Sequence, residues 1–131
     1  MDTDKQLILL IDDVEENRVI LKRRLEKEGF AVTTASNGQE GLDKLQEEAI
    51  SVIFLDINMP VMDGHTFLNT IKSDPRYEKI PIIIITALDE TGAVIKTMRA
   101  GACGYLTKPF SMEQVRAQLD FCLRESHSNP R

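Results

Sequence analysis

Cysteine and histidine are too scarce in this chain for several common chemistries. The two cysteines, Cys103 and Cys122, make neither a metal pattern nor a disulfide framework. Both sit in apolar contexts and read as small core residues in a reducing cytoplasm. His65 and His127 are too few and too separated for a zinc site, and read as solvated surface side chains. Positive charge is also short. A net charge of −5 and a pI near 5.0 argue against a nucleic-acid surface. No apolar run approaches the ~20 residues of a membrane helix. The longest, Pro81 to Ile85, is strand-sized. The start, M-D-T-D-K-Q, lacks a basic region followed by an apolar one, so no secretory signal is read and a cytoplasmic location is expected. What remains is an ordinary globule. With 131 residues, 42% apolar and 28% charged, the chain fits one domain with a real core.

The stretch S-V-I-F-L-D-I-N-M-P-V-M-D-G, Ser51 to Gly64, organises the chain. Val52 to Leu55 is a continuous apolar run, the mark of a strand buried on both faces. It ends on Asp56, and Pro60 with Asp63-Gly64 reads as a loop before the next helix. Other segments fall around it in alternation. Leu7 to Ile11 is a buried strand stopping at Asp12-Asp13. Val14, Leu21 and Leu25 mark a helix to Glu28, closed by Gly29. Phe30 to Ala35 is a more polar strand, nearer an edge, and Gly38 to Glu48 a helix with Leu42 and Leu45 inward. A third helix runs from about Gly64 to Ser73, and Pro81 opens a strand ending at Thr86. Helix four spans roughly Glu90 to Ala100, with Val94, Ile95 and Met98 apolar. Cys103 to Leu106 is a short fifth strand. Ser111 and Gln114 make a capping box for a last helix to about Glu125, followed by a tail that looks frayed. Five β-α units of this kind predict a doubly wound α/β fold with a parallel sheet. The order 2-1-3-4-5 fits best, because strands 1, 3 and 4 are the most apolar and belong in the centre. The domain is read as residues 1–131, with its core at about 5–124 and 125–131 as a frayed tail or the start of a linker.

In such a sheet the carboxyl ends of the strands share one edge, where ligands bind. Asp12 and Asp13, Asp56, Thr86 and Lys108 all lie at or just beyond such ends. Strands ~4.8 Å apart bring the three carboxylates into contact. Two like charges 4 Å apart repel by about 4 kcal/mol at an effective dielectric of 20. Two cations would offset this: a hard divalent ion with oxygen ligands, which describes Mg²⁺, and the Lys108 ammonium. That pairing suits phosphoryl transfer, with Asp56 as the nucleophile. Thr86 offers a hydroxyl to a phosphoryl oxygen, and the Asn58 main-chain carbonyl a further metal ligand. Taken singly, each residue has a plainer reading. Asp12-Asp13 caps a helix, Thr86 is a strand-end hydroxyl, Lys108 is solvated and Asp63 is a turn or cap residue. The conjunction on one edge favours the chemical reading.

These residues resemble a known family, the receiver domain of two-component response regulators. The likeness covers about Lys5 to Arg124 and rests on L-L-I-D-D, F-L-D-I-N-M-P-V-M-D-G, I-I-I-I-T-A and Y-L-T-K-P-F, in family order. It implies a flavodoxin-like fold and a bacterial phosphorelay switch. Asp56 would be the phosphoacceptor, and Asp12, Asp13, Asp56 and the Asn58 carbonyl would hold Mg²⁺. Thr86 and Lys108 would contact the phosphoryl group, and Lys108-Pro109 would be cis. Tyr105 falls at the family's switch aromatic position. Phosphorylation would draw Thr86 inward, let Tyr105 turn in behind it, and remodel the face of helix four, strand five and helix five. The donor would be a sensor histidine kinase, a phosphotransfer protein or a small acyl phosphate. Ala87 fits the family, whereas Leu88 is apolar where many relatives are polar. Asn58 and Leu88 stand at positions that tune hydrolysis, which leaves the lifetime of the aspartyl phosphate open.

On the last helix Val115, Leu119, Cys122 and Leu123 share a core-facing stripe. Phe121 lies roughly 200° from Leu119 and points outward beside Ala117 and Gln118. It either packs on its own helix or makes a dimer or output contact. Two other functions compete with the switch. A Mg²⁺-dependent aspartyl phosphatase would end strand one on a D-x-D pattern, whereas Asp12 and Asp13 are adjacent. A flavin-binding module would need a Ser/Thr/Gly-rich loop where Asp12, Asp13, Glu15 and Glu16 stand. The expectation is therefore no enzyme beyond assistance to its own phosphorylation and dephosphorylation. No direct nucleic-acid or membrane binding is expected. Whether the domain stands alone or belongs to a longer protein stays open, as do the cognate kinase and the output.

Overall fold

The computed structural model describes residues 6–57, 64–86 and 91–128. Five strands alternate with five helices: β1 (Leu7–Ile11), α1 (Glu15–Lys27), β2 (Ala31–Ala35), α2 (Gly38–Glu47), β3 (Val52–Asp56), α3 (Gly64–Lys72), β4 (Ile82–Thr86), α4 (Thr91–Arg99), β5 (Gly104–Thr107) and α5 (Met112–Ser128). The strands form one parallel sheet in the order β2-β1-β3-β4-β5, as expected. Inner strands β3 and β4 are buried at every residue, whereas β2 is half-buried along most of its length. The cause is apolar content. Each buried aliphatic or aromatic side chain stabilises by about 1.5–3 kcal/mol, so strands that are apolar on both faces go where both faces are covered.

Alternate residues of each inner strand feed opposite layers. Leu9, Ile11, Ile53, Leu55, Ile82 and Ile84 pack with Leu45 of α2 and with Phe67, Leu68 and Ile71 of α3. Ile8, Leu10, Phe54, Ile83 and Ile85 pack with Leu21 and Leu25 of α1 and with Val115, Leu119 and Cys122 of α5. Gly29 stops α1 in the left-handed region at φ 101°, where a side chain would be strained. Among the described residues no helix is long and apolar enough to cross a membrane.

Several expectations need correction. Helix four is recognised by Val94, Ile95 and Met98, yet Ile95 and Met98 are exposed, and the helix buries Thr97, whose hydroxyl donates to the Val94 carbonyl. The last helix, expected to end at about Glu125, runs to Ser128. Cys103 and Cys122 are not separate core residues: they are joined by a disulfide, with Cα atoms 5.8 Å apart. They are 19 residues apart in sequence, and only the return of α5 along β5 brings them together. Strand five also begins one residue later than expected, at Gly104.

Candidate functional site

Backbone hydrogen bonds fix the sheet edge first. The Asp12 N–H donates to the Ala35 carbonyl, at 3.2 Å, at the end of β1. Asp56 closes β3 opposite Ile85 of β4, and Thr86 closes β4 opposite Thr107 of β5. The Lys108 N–H donates to the Thr86 carbonyl, at 2.9 Å, so the lysine is tied to the end of the neighbouring strand. The Lys108-Pro109 peptide is cis, as the resemblance implied.

The side chains then converge. Asp12, Asp13 and Asp56 each place a carboxylate oxygen within 4.8 Å of the others. Asp12 and Asp56 are 3% and 5% exposed, whereas Asp13 faces solvent. Lys108 Nζ lies 3.7 Å from Asp56 Oδ2. Thr86 is buried at the same edge. Tyr105 sits on β5, opposite Ile84, and is 44% exposed, so its ring is turned outward. Ala117 and Phe121 are exposed on α5, and Phe121 at 52% is among the most exposed large apolar side chains described. Asn58, Asp63, Ala87 and Leu88 lie outside the described residues.

The cluster suits a hard divalent cation. Its donors are carboxylate oxygens, two of them withdrawn from water, and three negative charges so close demand a counter-charge. Receiver domains generally bind Mg²⁺ at such an acidic pocket, and the donor set here fits that ion.

Two contacts hold the chain between β1 and α1. Asp12 Oδ1 accepts from the Val14 N–H at 2.9 Å, so one oxygen is spent on the entrance to α1. This is a turn bond to Val14, the residue before α1, and the start of that helix has no side-chain cap. Arg18, one turn into α1, donates to the Asp12 main-chain carbonyl at 2.7 Å and holds the loop from behind. An arginine six residues on has no local signature for that contact. A side-chain cap is formed where β2 gives way to α2. The Ser36 N–H and hydroxyl both donate to Glu40 Oε1 at 2.7 Å, which holds the Glu40 carboxyl below its ordinary value. Asn37 Oδ1 in turn accepts from the Glu40 N–H.

A small cleft opens beside the site between α1 and the turn after β5. Asp12, Ile20, Leu21, Arg24, Lys108 and Phe110 line it. Ile20, which also lines it, and Val19 are exposed apolar side chains of α1, and Val14 just before the helix is a third.

The family model for the response regulator receiver domain matches residues 8–120. The chain is 37% identical over 123 residues to a probable transcriptional regulator, ycf27, of Guillardia theta, covering 94% of this chain and 47% of that protein. It is 40% identical over 102 residues to the response regulator PleD of Caulobacter vibrioides, covering 78% of this chain and 22% of that protein. The chain thus spans about half or less of the length of these relatives. A putative response regulator from Chloroflexus aurantiacus superposes with a TM-score of 0.88 at 26% identity, over 92% of this chain and 99% of its own. With its sheet order, its acidic edge and a family match across most of its length, the chain belongs to the response regulator receiver domains of two-component systems.

Proposed function

We propose that this receiver is a phosphoacceptor switch in which Asp56 takes a phosphoryl group from a phosphohistidine donor. The observation that carries the reading is the placement of Asp56, with carboxylate oxygens of Asp12 and Asp13 within 4.8 Å and Lys108 Nζ 3.7 Å away. One Asp56 carboxylate oxygen attacks phosphorus, and the bond from phosphorus to the donor imidazole breaks. The imidazole leaves with the electron pair. The Lys108 ammonium and the Thr86 hydroxyl bind phosphoryl oxygens as charge spreads over them. Asp12, Asp13, Asp56 and, as the resemblance implies, the Asn58 carbonyl would hold Mg²⁺, which would supply positive charge to the transferring group. The chain acts on its own phosphoryl group rather than as a multiple-turnover phosphatase, because the nucleophile Asp56 follows the third strand and not a D-x-D at the end of the first.

The donor docks over the cleft between α1 and the turn after β5, which Asp12 and Lys108 line and at which Ile20 is exposed. The signal leaves by the face of α4, β5 and α5. Thr86 is buried and Tyr105 is turned outward, which suits the unphosphorylated arrangement. Drawing Thr86 toward the phosphoryl group makes room for Tyr105 to turn in. The exposed side chains Ile95, Met98 and Phe121 give that face an apolar surface for a second copy or an output partner.

The test is intact-protein mass after incubation with acetyl phosphate, with and without Mg²⁺, beside Asp56→Asn. One Mg²⁺-dependent phosphoryl adduct, absent from the variant, supports the switch. If the wild type takes none, a beryllofluoride titration decides: binding keeps a short-lived phosphate in play, and no binding ends the proposal.

A further inference from the structure

We propose that Cys103 and Cys122 are a reversible thiol–disulfide site that staples α5 to the start of β5, and that oxidation enters through Cys103. The pair does not belong to the acidic edge. Cys103 immediately precedes β5, and its N–H donates to the Ile82 carbonyl at 2.8 Å, at the opposite edge of the sheet from Asp56. Cys122 lies on the buried stripe of α5 with Val115 and Leu119. Their Cα separation of 5.8 Å falls within the ~4.4–6.8 Å range that disulfides span without moving the backbone. Gly104 helps α5 come this close, since a Cβ there would stand 3.4 Å from the Cys122 sulfur and against the Gln118 amide oxygen.

The two cysteines differ in access, and this sets the order of events. Cys103 is half-buried, whereas Cys122 is 0% exposed. A small disulfide such as oxidised glutathione therefore meets Cys103 first. The Cys103 thiolate attacks one of its sulfurs, that sulfur–sulfur bond breaks, and one glutathione thiolate leaves. The Cys122 thiolate then attacks the Cys103 sulfur and expels the second. Two protein thiols are oxidised, one small disulfide is reduced to two thiols, and the two cysteine protons pass to the leaving groups. Excess thiol reverses the sequence.

What the bond encloses gives it a consequence. The loop between the two cysteines holds β5 with Tyr105, the turn with Lys108, and the part of α5 that carries Ala117 and Phe121. Oxidation fixes the tilt of α5 on β5 and so the presentation of that whole segment. The thiol chemistry itself stands apart from the phosphoacceptor reading and should be the same in Asp56→Asn.

The test starts from the whole reduced chain placed in glutathione buffers of increasing oxidising ratio, quenched by alkylation and read by intact mass. The wild type should pass to a form with neither an alkylated thiol nor bound glutathione. Cys122→Ala should retain one glutathione, trapped at Cys103. Cys103→Ala should take up glutathione at least tenfold more slowly while folded, and at an ordinary rate in urea. Amide hydrogen exchange of the wild type, which needs no substitution, should slow at least threefold across residues 104–121 on oxidation. Two alkylatable thiols at every ratio, equal uptake by both variants, a bridge between two chains, or unchanged exchange would each overturn the proposal.

Discussion

Lys108 Nζ stands 3.7 Å from Asp56 Oδ2 and is placed there by a main-chain bond from its own N–H to Thr86, so the cation is fixed to the strand next to the acid. It balances part of the charge that a metal would also balance. On the proposed function the two cations would compete in the resting domain and cooperate in phosphoryl transfer. Lys108→Ala should bind Mg²⁺ more tightly, by about tenfold or 1.4 kcal/mol, as read by calorimetric titration. The same variant should be phosphorylated about 10²-fold more slowly, the usual loss when one stabilising group is removed from a charged transition state. Changes of one sign in both assays would count against this division of labour.

Asp12 and Asp13 are adjacent in sequence but differ in what they hold. Asp13 is exposed and contributes repulsion to the cluster, whereas Asp12 also accepts the Val14 N–H and has its carbonyl gripped by Arg18. Without metal, Asp13→Ala should be stabilised by up to about 1 kcal/mol, the repulsion of two charges ~4 Å apart in a water-like dielectric. Asp12→Ala should be less stable than Asp13→Ala by about 1–2 kcal/mol, because it loses an acceptor at a helix entrance. Urea unfolding without Mg²⁺ measures both. Adding Mg²⁺ should stabilise the wild type by mass action and neither variant to the same degree.

Much of this site is legible in the amino-acid order because of one physical rule. In a parallel sheet the strand ends share an edge, so Asp12, Asp56, Thr86 and Lys108 can be gathered from their places after apolar runs alone. The runs themselves are unambiguous where both faces are buried, as in Val52 to Leu55 and Ile82 to Ile85. Legibility fails where a contact depends on how a helix returns over the sheet. The exposed Ile95 and Met98 of α4, the grip of Arg18 on Asp12 and the Cys103–Cys122 bridge all depend on helix rotation or on chain reversal. Periodicity says that a helix has an apolar face. It does not say that the neighbouring elements will cover it.

Glu40 makes a pH prediction with a definite sign. Hydrogen bonds from the Ser36 N–H and hydroxyl lower its folded value below the ordinary 4.5. In the window between the two values the unfolded chain binds more protons, so stability rises with pH there. The contribution is complete above about the ordinary value and is lost as pH falls through the lowered one. Glu40→Gln should be less stable than the wild type at neutral pH, and the gap should close as pH drops through that window. Urea midpoints at several pH values between neutral and acid would measure this, and a gap of constant size would refute the linkage.

Gly41 carries a prediction about packing under the site. It lies on the inner face of α2, where a Cβ would stand 2.6 Å from Ile11 Cδ1 and 3.1 Å from Phe67 Cε1, both in the core. Alanine would regain up to about 1 kcal/mol of helix propensity against this crowding. Valine adds bulk without that gain. Gly41→Val should cost about 2–3 kcal/mol through overpacking, and Ile11→Val in the same chain should recover part of it by removing the methyl that is struck. Additive losses in the double variant would mean that the two side chains do not meet.

Phe121 lets the proposed output face be tested apart from the fold. It is 52% exposed on α5, and its immediate neighbour Cys122 faces the core. Loss of an exposed ring should leave stability within about 0.5 kcal/mol, so Phe121→Ala tests association rather than folding. If this face joins two copies after activation, beryllofluoride with Mg²⁺ should raise the apparent mass of the wild type in sedimentation, and Phe121→Ala should weaken that association by tenfold or more. Tyr105→Ala should weaken it too, but through the inward turn that follows Thr86 rather than through direct contact. An activated wild type that stays monomeric, or a Phe121→Ala variant that associates equally well, would leave the aromatic as a side chain packed on its own helix and move the output to a different partner.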